Sequence, residues 1–340
     1  METRDVVVIG AGVMGLASAW ALMRAGRDVT VLEQYEIGNP HGSSHGESRI
    51  FRFAYDEPEW VTLAQEALPL WRELEEETDT QLLSLTGLLD ARRNSAPLRA
   101  ALDACSAEYE RLDATEMARR YGIEFDVDVE GVLELHGGIV RADRALAAFS
   151  RGIPVEANVR VTGLAAGDEG VTLHTTSHGE IGAELAVVAA GAWATPLLAD
   201  AGIELETTVS QETVSYYRLP GIETLPSVID WNEHTGRHAY SLAAGQGVLK
   251  VGLHHTGRKV EPGTPGKPDP DVVAGEAEWV ARRFPVADPA PFRSETCLYT
   301  NIDDDQFVIE RHGPIIACSA CSGHGFKFAP AVGTRVAALA

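Results

Sequence analysis

Gly10-Ala11-Gly12-Val13-Met14-Gly15 follows the run Asp5–Ile9 directly, and the acidic Glu33 comes about twenty residues later. That spacing has a chemical use. Gly10 permits a tight turn, Gly12 lets backbone approach a pyrophosphate, and Gly15 lets a helix pack closely on a strand. The unpaired N–H groups and positive dipole end of the following helix suit phosphate oxygens. Glu33 can accept a hydrogen bond from a ribose hydroxyl. A second group, Gly42-Ser43-Ser44-His45-Gly46-Glu47-Ser48-Arg49-Ile50-Phe51-Arg52, sets small polar residues before two arginines that can each meet an anion. Taken alone, this segment is most simply a solvated loop. Cys318 and Cys321 form a Cys-x-x-Cys, but no second such pair and no suitably spaced His accompanies them. Metal or redox chemistry at this pair is therefore not expected.

The elements that must position these residues begin with strand, Gly-rich turn, helix and strand, the helix ending at Gly26 and the second strand covering Asp28–Leu32. Glu59–Glu77 has Trp60, Leu63, Ala67, Leu70, Trp71 and Leu74 at helical spacing, with Pro69 as a candidate kink. A strand pair is expected over Leu82–Ala91 around Gly87, then two short helices in Ser95–Tyr121, the second capped by Asp113 or Thr115. Val132–Leu135 reads as a strand, and Gly137-Gly138 as a break before a helix near Ala142–Phe149. Strands follow at Val155–Leu164, Val171–Thr175 and Leu185–Ala190. The last runs into Gly191-Ala192-Trp193, where the nucleotide-binding unit resumes. Glu206–Tyr217 and Tyr240–Leu253 are β-like, Gly257–Pro270 a loop and Asp271–Phe284 a helix. An acidic turn at Asp303–Asp305, a strand at Phe307–Glu310, a buried run at Pro314–Ala320 and a helix at Val332–Leu339 complete the chain.

With 340 residues and 45% apolar content, the chain can build two domains or one large α/β unit. The net charge of −22 repels phosphate backbones and acidic lipid, which argues against nucleic-acid and membrane partners. There is no basic-then-apolar leader, no apolar run of about eighteen residues, and too few cysteines for a disulfide framework. A cytoplasmic protein is expected.

Four separated blocks, Gly10–Gly15, Gly42–Arg52, Cys297-Leu298-Tyr299-Thr300 and Ser322–Phe328, occur in an order and spacing that resembles the monomeric sarcosine oxidase and N-methyltryptophan oxidase group of the D-amino-acid-oxidase-like (DAO) FAD-dependent oxidoreductases. The resemblance covers essentially the whole chain. It implies an α/β (α+β overall) fold: a Rossmann-type FAD-binding domain, discontinuous over 1–80, 140–205 and 295–340, and a substrate domain on an antiparallel sheet over 81–139 and 206–294. It implies FAD attached through an 8α-S-cysteinyl bond at Cys297, for which a thiolate is the competent nucleophile. Cofactor contacts are implied for Gly10, Gly12, Val13, Met14, Gly15, Glu33, Gln34, Ser43, Ser44, Arg49, Ile50, Val161, Ala190, Gly191, Trp193, Gly323, His324, Gly325, Phe326 and Lys327. Lys250 resembles the lysine over the flavin where oxygen reacts, with Arg49 on the same side. Arg52 and Lys327 resemble the pair that holds the substrate carboxylate. His45, Tyr240 and His254 match less strict pocket positions.

The implied activity is that of a monomer oxidising the C–N bond of a small N-methyl or cyclic secondary amino acid to an imine, with O2 reduced to hydrogen peroxide. A dehydrogenase passing electrons to a carrier and a flavin-bearing subunit of a heteromeric complex are the alternatives. Lys250 argues against the first, and an intact Arg52/Lys327 pair against the second. Ser44 and Phe53 stand where relatives often carry His, and Glu47 replaces an Asp. These positions are expected to flank the pocket and to move its preference away from sarcosine. Relatives also run on past the helix that ends this chain.

Overall fold

The computed structural model describes residues 3–167, 170–232 and 237–340. Its first sheet is built around the strand Thr3–Ile9, where Val6, Val7 and Val8 are fully buried, as a continuous β-branched run inside a parallel sheet should be. Val29–Glu33 lies parallel on one side of it and Gly179–Val188 on the other. Val155–Ala157 and Ile315–Ser319 extend the parallel array at its two ends. The hairpin Val161–Gly167 and Gly170–Thr175 pairs antiparallel with the first half of Gly179–Val188, and Val308–His312 edges Ile315–Ser319. The helix Val13–Arg24 buries Leu16, Ala17, Ala19 and Leu22 in the same core as Val332 and Val336 of the helix Ala329–Leu339.

A second, mostly antiparallel sheet has Thr208–Arg218 as its hub, paired with Arg293–Asn301 on one side and Val248–Leu253 on the other. It continues through Arg237–Ala243, Ser227–Asn232, Leu88–Arg92, Glu130–Glu134 and Tyr109–Leu112. The helix Pro270–Arg283 contributes Trp279 and Val280 to a core with Tyr217, Leu249 and Val251 of this sheet. A small third sheet joins Ser48–Phe51, Gly138–Arg141 and Leu83–Ser84. Among the described residues no helix is long and apolar enough to cross a membrane.

Several local expectations change. Leu82–Ala91 is not a hairpin: Leu83–Ser84 and Leu88–Arg92 enter different sheets, so each finds its backbone partners elsewhere. The strand expected over Val155–Leu164 breaks at Asn158, whose φ of 61° is left-handed, and its halves go to opposite ends of the first sheet. Ser48–Phe51 is a strand where a loop was expected. Gly138–Arg141, Ser227–Asn232 and the helix Ala194–Asp200 carry too short a periodic signal to stand out in the sequence. Pro58–Thr78 runs unbroken through Pro69. Asp113 does cap the helix Ala114–Tyr121, accepting from the Glu116 N–H at 2.8 Å.

Candidate active site

A cavity of about 700 Å³ takes its lining from both large sheets. The Gly-rich turn forms part of its wall. Gly10 has φ of 105°, and a Cβ there would come within 2.7 Å of the Ala189 carbonyl oxygen. A Cβ at Gly15 would sit 1.8 Å from the Gly10 carbonyl oxygen, so the helix lies directly on the strand end. Gly15 packs and does not line the cavity, whereas Gly10, Gly12, Val13 and Met14 do. No acidic residue occupies the first turn of Val13–Arg24, and the Val13 N–H donates to Ser44 Oγ at 3.0 Å. The positive helix end therefore remains available to an anion. Glu33 is buried and accepts from the N–H groups of Ala11 at 2.7 Å and Tyr35 at 2.9 Å. A carboxylate has about four acceptor sites, so capacity for a sugar hydroxyl remains. Gln34, Ser43, Ile50, Val161, Ala190, Gly191 and Trp193 line the same cavity. These features fit a dinucleotide.

Arg49 is spent largely on its own segment. Its guanidinium donates to the carbonyl oxygens of Ser43 at 2.8 Å, His45 at 2.6 Å and Ser48 at 2.9 Å. These bonds hold the segment in shape and leave the positive charge in the cavity wall. Arg49 Nη1 and Lys250 Nζ lie 3.5 and 4.0 Å from where a side chain at Gly46 would begin, which puts both cations on one side. Lys250 is buried, and burial followed by the charge of Arg49 brings its ammonium down to about 7. Burial and then Arg49 bring His45 to about 4, and its Nε2 is buried without a hydrogen-bond partner. Cys297 lies against the same cations. Burial pushes its thiol up, while Arg49 and Lys250 pull the other way. The surroundings thus favour the thiol, in contrast to the thiolate that attachment chemistry calls for.

Arg52 and Lys327 approach one residue, Tyr55. The Arg52 guanidinium carbon lies 3.8 Å from the centre of the Tyr55 ring, and Lys327 Nζ donates to the Tyr55 hydroxyl at 2.8 Å. Burial, then Arg52, pushes the Lys327 ammonium well below its ordinary value. His324, between Gly323 and Gly325, faces Tyr55 Oη through Nδ1 at 3.1 Å and the Asp305 carbonyl through Nε2 at 2.9 Å. Burial, then Lys327, lowers it to about 3. His254 Nδ1 faces Tyr299 Oη at 3.3 Å and is held well below the usual imidazole range by burial and His255. Burial raises the Tyr240 phenol. Phe326 and all of these residues line the cavity.

The sequence pattern left several lining residues unassigned: Tyr55, Arg92, Trp231, His238, His255 and Asp305. Tyr55 had a usable signal, since it repeats the three-residue step from Arg49 to Arg52. His255 and Asp305 had none, because their 3.3 Å ion pair joins two distant turns. Of the three departures expected to flank the pocket, only Ser44 lines it. Phe53 stacks on His136, their ring centres 5.3 Å apart, and Glu47 pairs with Arg293 at 3.4 Å. Cys318 is buried and Cys321 Sγ accepts from the Thr300 N–H at 3.4 Å; all four cysteines are free. Among the described residues no three His, Cys, Asp or Glu converge as metal ligands.

Comparison with known proteins agrees with this geometry. Peroxisomal sarcosine oxidase of Homo sapiens is 32% identical, covering 97% of this chain and 90% of its own length. A monomeric sarcosine oxidase of Streptomyces avermitilis is also 32% identical, over 99% of this chain and 94% of its own. Among solved structures, NikD, described as an unusual amino acid oxidase essential for nikkomycin biosynthesis, superposes with a TM-score of 0.88 at 28% identity, covering 100% of this chain and 94% of that one. The profile of the FAD dependent oxidoreductase family, DAO, matches residues 5–339. With a Gly-rich turn, a helix end and an acid that fit a dinucleotide, this chain belongs to the DAO family of FAD-dependent oxidoreductases.

Proposed function

We propose that this chain is an FAD-dependent amine oxidase that converts the C–N bond of a small N-methyl or cyclic secondary amino acid to an imine, with O2 reduced to hydrogen peroxide. One observation carries the proposal: Arg52 and Lys327, from opposite ends of the sequence, meet at Tyr55 in the cavity that the Gly-rich turn also lines. The names of the sarcosine oxidases and of NikD support the same class of substrate.

When bound, FAD supplies a two-electron acceptor that O2 can reoxidise. The chain supplies the rest. Gly10, Gly12 and the end of Val13–Arg24 take the pyrophosphate and Glu33 the ribose. Cys297 Sγ would hold the cofactor through a thioether to the flavin 8-methyl carbon, replacing one C–H there and the thiol proton, with the two electrons left on the flavin for O2 to remove; the place of Cys297 in the cavity wall supports this part of the proposal. Arg52 grips a carboxylate in two parallel hydrogen bonds, and Lys327 adds a point charge. An arriving carboxylate offsets the burial and the Arg52 charge that otherwise disfavour the Lys327 ammonium. His254, whose charged form burial and His255 disfavour, lines the pocket beside Tyr299 without adding a further cation to it. Lys250 sets a cation where negative charge develops as oxygen is reduced. His45 and Tyr240 complete the pocket.

A monomer acting in the cytoplasm belongs to the same proposal, supported by the monomeric relatives and the free cysteines. So does a cofactor unit over 1–80, 140–205 and 295–340 and a substrate unit over 81–139 and 206–294. The parallel strands fall within the first and most of the antiparallel sheet within the second, although Arg293–Asn301 crosses the boundary.

The purified chain should be offered N-methylglycine, N-methyl-L-tryptophan, L-proline and L-pipecolate, recording peroxide release beside dye reduction. Peroxide equal to substrate consumed is expected for at least one of them. Failure of every secondary amino acid to reduce the flavin rejects the proposal, and dye reduction without peroxide transfers the electrons to a carrier.

A further inference from the structure

We propose that Tyr55 is the positioning residue of the carboxylate clamp, holding Arg52 by its ring face and Lys327 by its hydroxyl; this rests on the function proposed above. Two cations of one sign, Lys327 buried and Arg52 half-buried, repel each other and each needs a compensating partner. Tyr55 is a partner to both. Its π face lies 3.8 Å from the Arg52 guanidinium carbon, a favourable cation–π distance. Its oxygen accepts from Lys327 Nζ at 2.8 Å. The two cations also donate to backbone carbonyls, Ala54 for Arg52 and His324 for Lys327, and Lys327 Nζ lies 4.8 Å from the centre of the Phe328 ring.

The ring itself is fixed. Tyr55 is 7% exposed, and Trp60 and Phe328 hold it with ring centres at 6.2 and 5.8 Å. The donors and acceptors around its hydroxyl run in one direction. Lys327 donates to Oη, and Oη has its own proton left for His324 Nδ1 at 3.1 Å. That assigns the single ring proton of neutral His324 to Nε2, which donates to the Asp305 carbonyl oxygen at 2.9 Å. The clamp is thereby anchored to the turn Asp303–Asp305 at the cavity rim.

The charged and titratable groups facing Lys327 are Arg52, Tyr55 and His324, with Asp305 and Glu57 beyond Tyr55. Only Arg52 among them is a fixed cation, and it opposes the Lys327 charge. Loss of the Tyr55 oxygen removes an acceptor of that ammonium, so the variant should lose the lysine's charge at lower pH than wild type.

Tyr55→Phe keeps the ring face and deletes the oxygen. For N-methylglycine or L-proline, whichever the wild type oxidises, KM should rise about tenfold at pH 8 with kcat within about twofold. The rise should shrink as the pH is lowered. For the methyl ester of the same substrate KM should not change. In a Lys327→Met background, Tyr55→Phe should add little, because the hydroxyl acts through the lysine. Tyr55→His, which keeps an acceptor nitrogen, should fall between wild type and Phe and serves if the Phe variant does not fold. Thermal unfolding and bound flavin, measured on each variant, identify a general structural loss. Equal KM in wild type and Tyr55→Phe from pH 6 to 9, or the same rise in the Lys327→Met background, overturns the inference. Wild type that oxidises ester and free acid alike overturns instead the carboxylate clamp on which it rests.

Discussion

Ser43 Oγ donates to the Leu298 carbonyl oxygen at 2.5 Å, across 255 positions of sequence. The bond ties the segment that Arg49 holds in shape to the strand Arg293–Asn301. Cys297, Arg49 and Lys250 are therefore held on a common frame.

That frame bears on cofactor attachment. Burial holds the Cys297 thiol above its ordinary value, so the nucleophilic form grows as pH rises. Acid-precipitated wild type should carry yellow flavin in the pellet, and Cys297→Ser should release it. FAD added to the apoprotein should attach faster at pH 9 than at pH 7. All flavin in the wild-type supernatant excludes the thioether.

Lys250 should act on reoxidation. Lys250→Met should slow the reaction of reduced enzyme with O2 on the order of a hundredfold and flavin reduction much less. The lysine sits at about 7 because burial and Arg49 disfavour its charge, with Arg293 adding to them and Cys297 and Glu295 opposing. Below that pH the cation is present, and above it the charge is lost. Wild-type reoxidation, followed by stopped flow, should fall as pH rises through about 7, and the Met variant should be flat.

The clamp predicts a binding loss. Arg52→Ala or Lys327→Ala should raise KM roughly ten- to a hundredfold, matching the ~1.5–3 kcal/mol of a charged hydrogen bond. Steady-state kinetics with the free acid and its ester test this. The ester should reproduce the loss in wild type and add little in the double variant.

A stability prediction concerns Glu276, which no proposed chemistry uses. It is fully buried in the helix Pro270–Arg283; neither carboxylate oxygen has a hydrogen-bond partner, and the Tyr217 hydroxyl is also unpartnered. Burial raises its carboxyl to about 8, with Ser215 close enough to oppose the rise. A folded-state value above the unfolded one means that ionisation favours unfolding, so stability falls as pH climbs from about 4.5 to about 8. Glu276→Gln should match wild type near pH 5 and unfold roughly 5 °C or more higher at pH 9, by calorimetry. Equal melting temperatures at pH 9 contradict the assignment.

The sequence by itself determined the nucleotide-binding half in detail. Its signals are local: a turn that only Gly10 can make, a helix that only Gly15 lets approach, and an apolar run with Glu33 at the end of the next strand. Such constraints act between near neighbours and are written as spacing. The proposed clamp, attachment cysteine and oxygen-side lysine were reached only through likeness to a family, because nothing in the local sequence around Lys327 or Lys250 distinguishes it from a surface lysine. Tertiary structure decided the rest. It divided Leu82–Ala91 between two sheets, split Val155–Leu164 at Asn158, and moved Phe53 and Glu47 off the cavity wall. It also brought Tyr55 between Arg52 and Lys327, and set His255 on Asp305. Strand pairing and burial reward partners from anywhere in the chain, so these choices depend on which distant surfaces fit together and leave no periodic trace in the sequence.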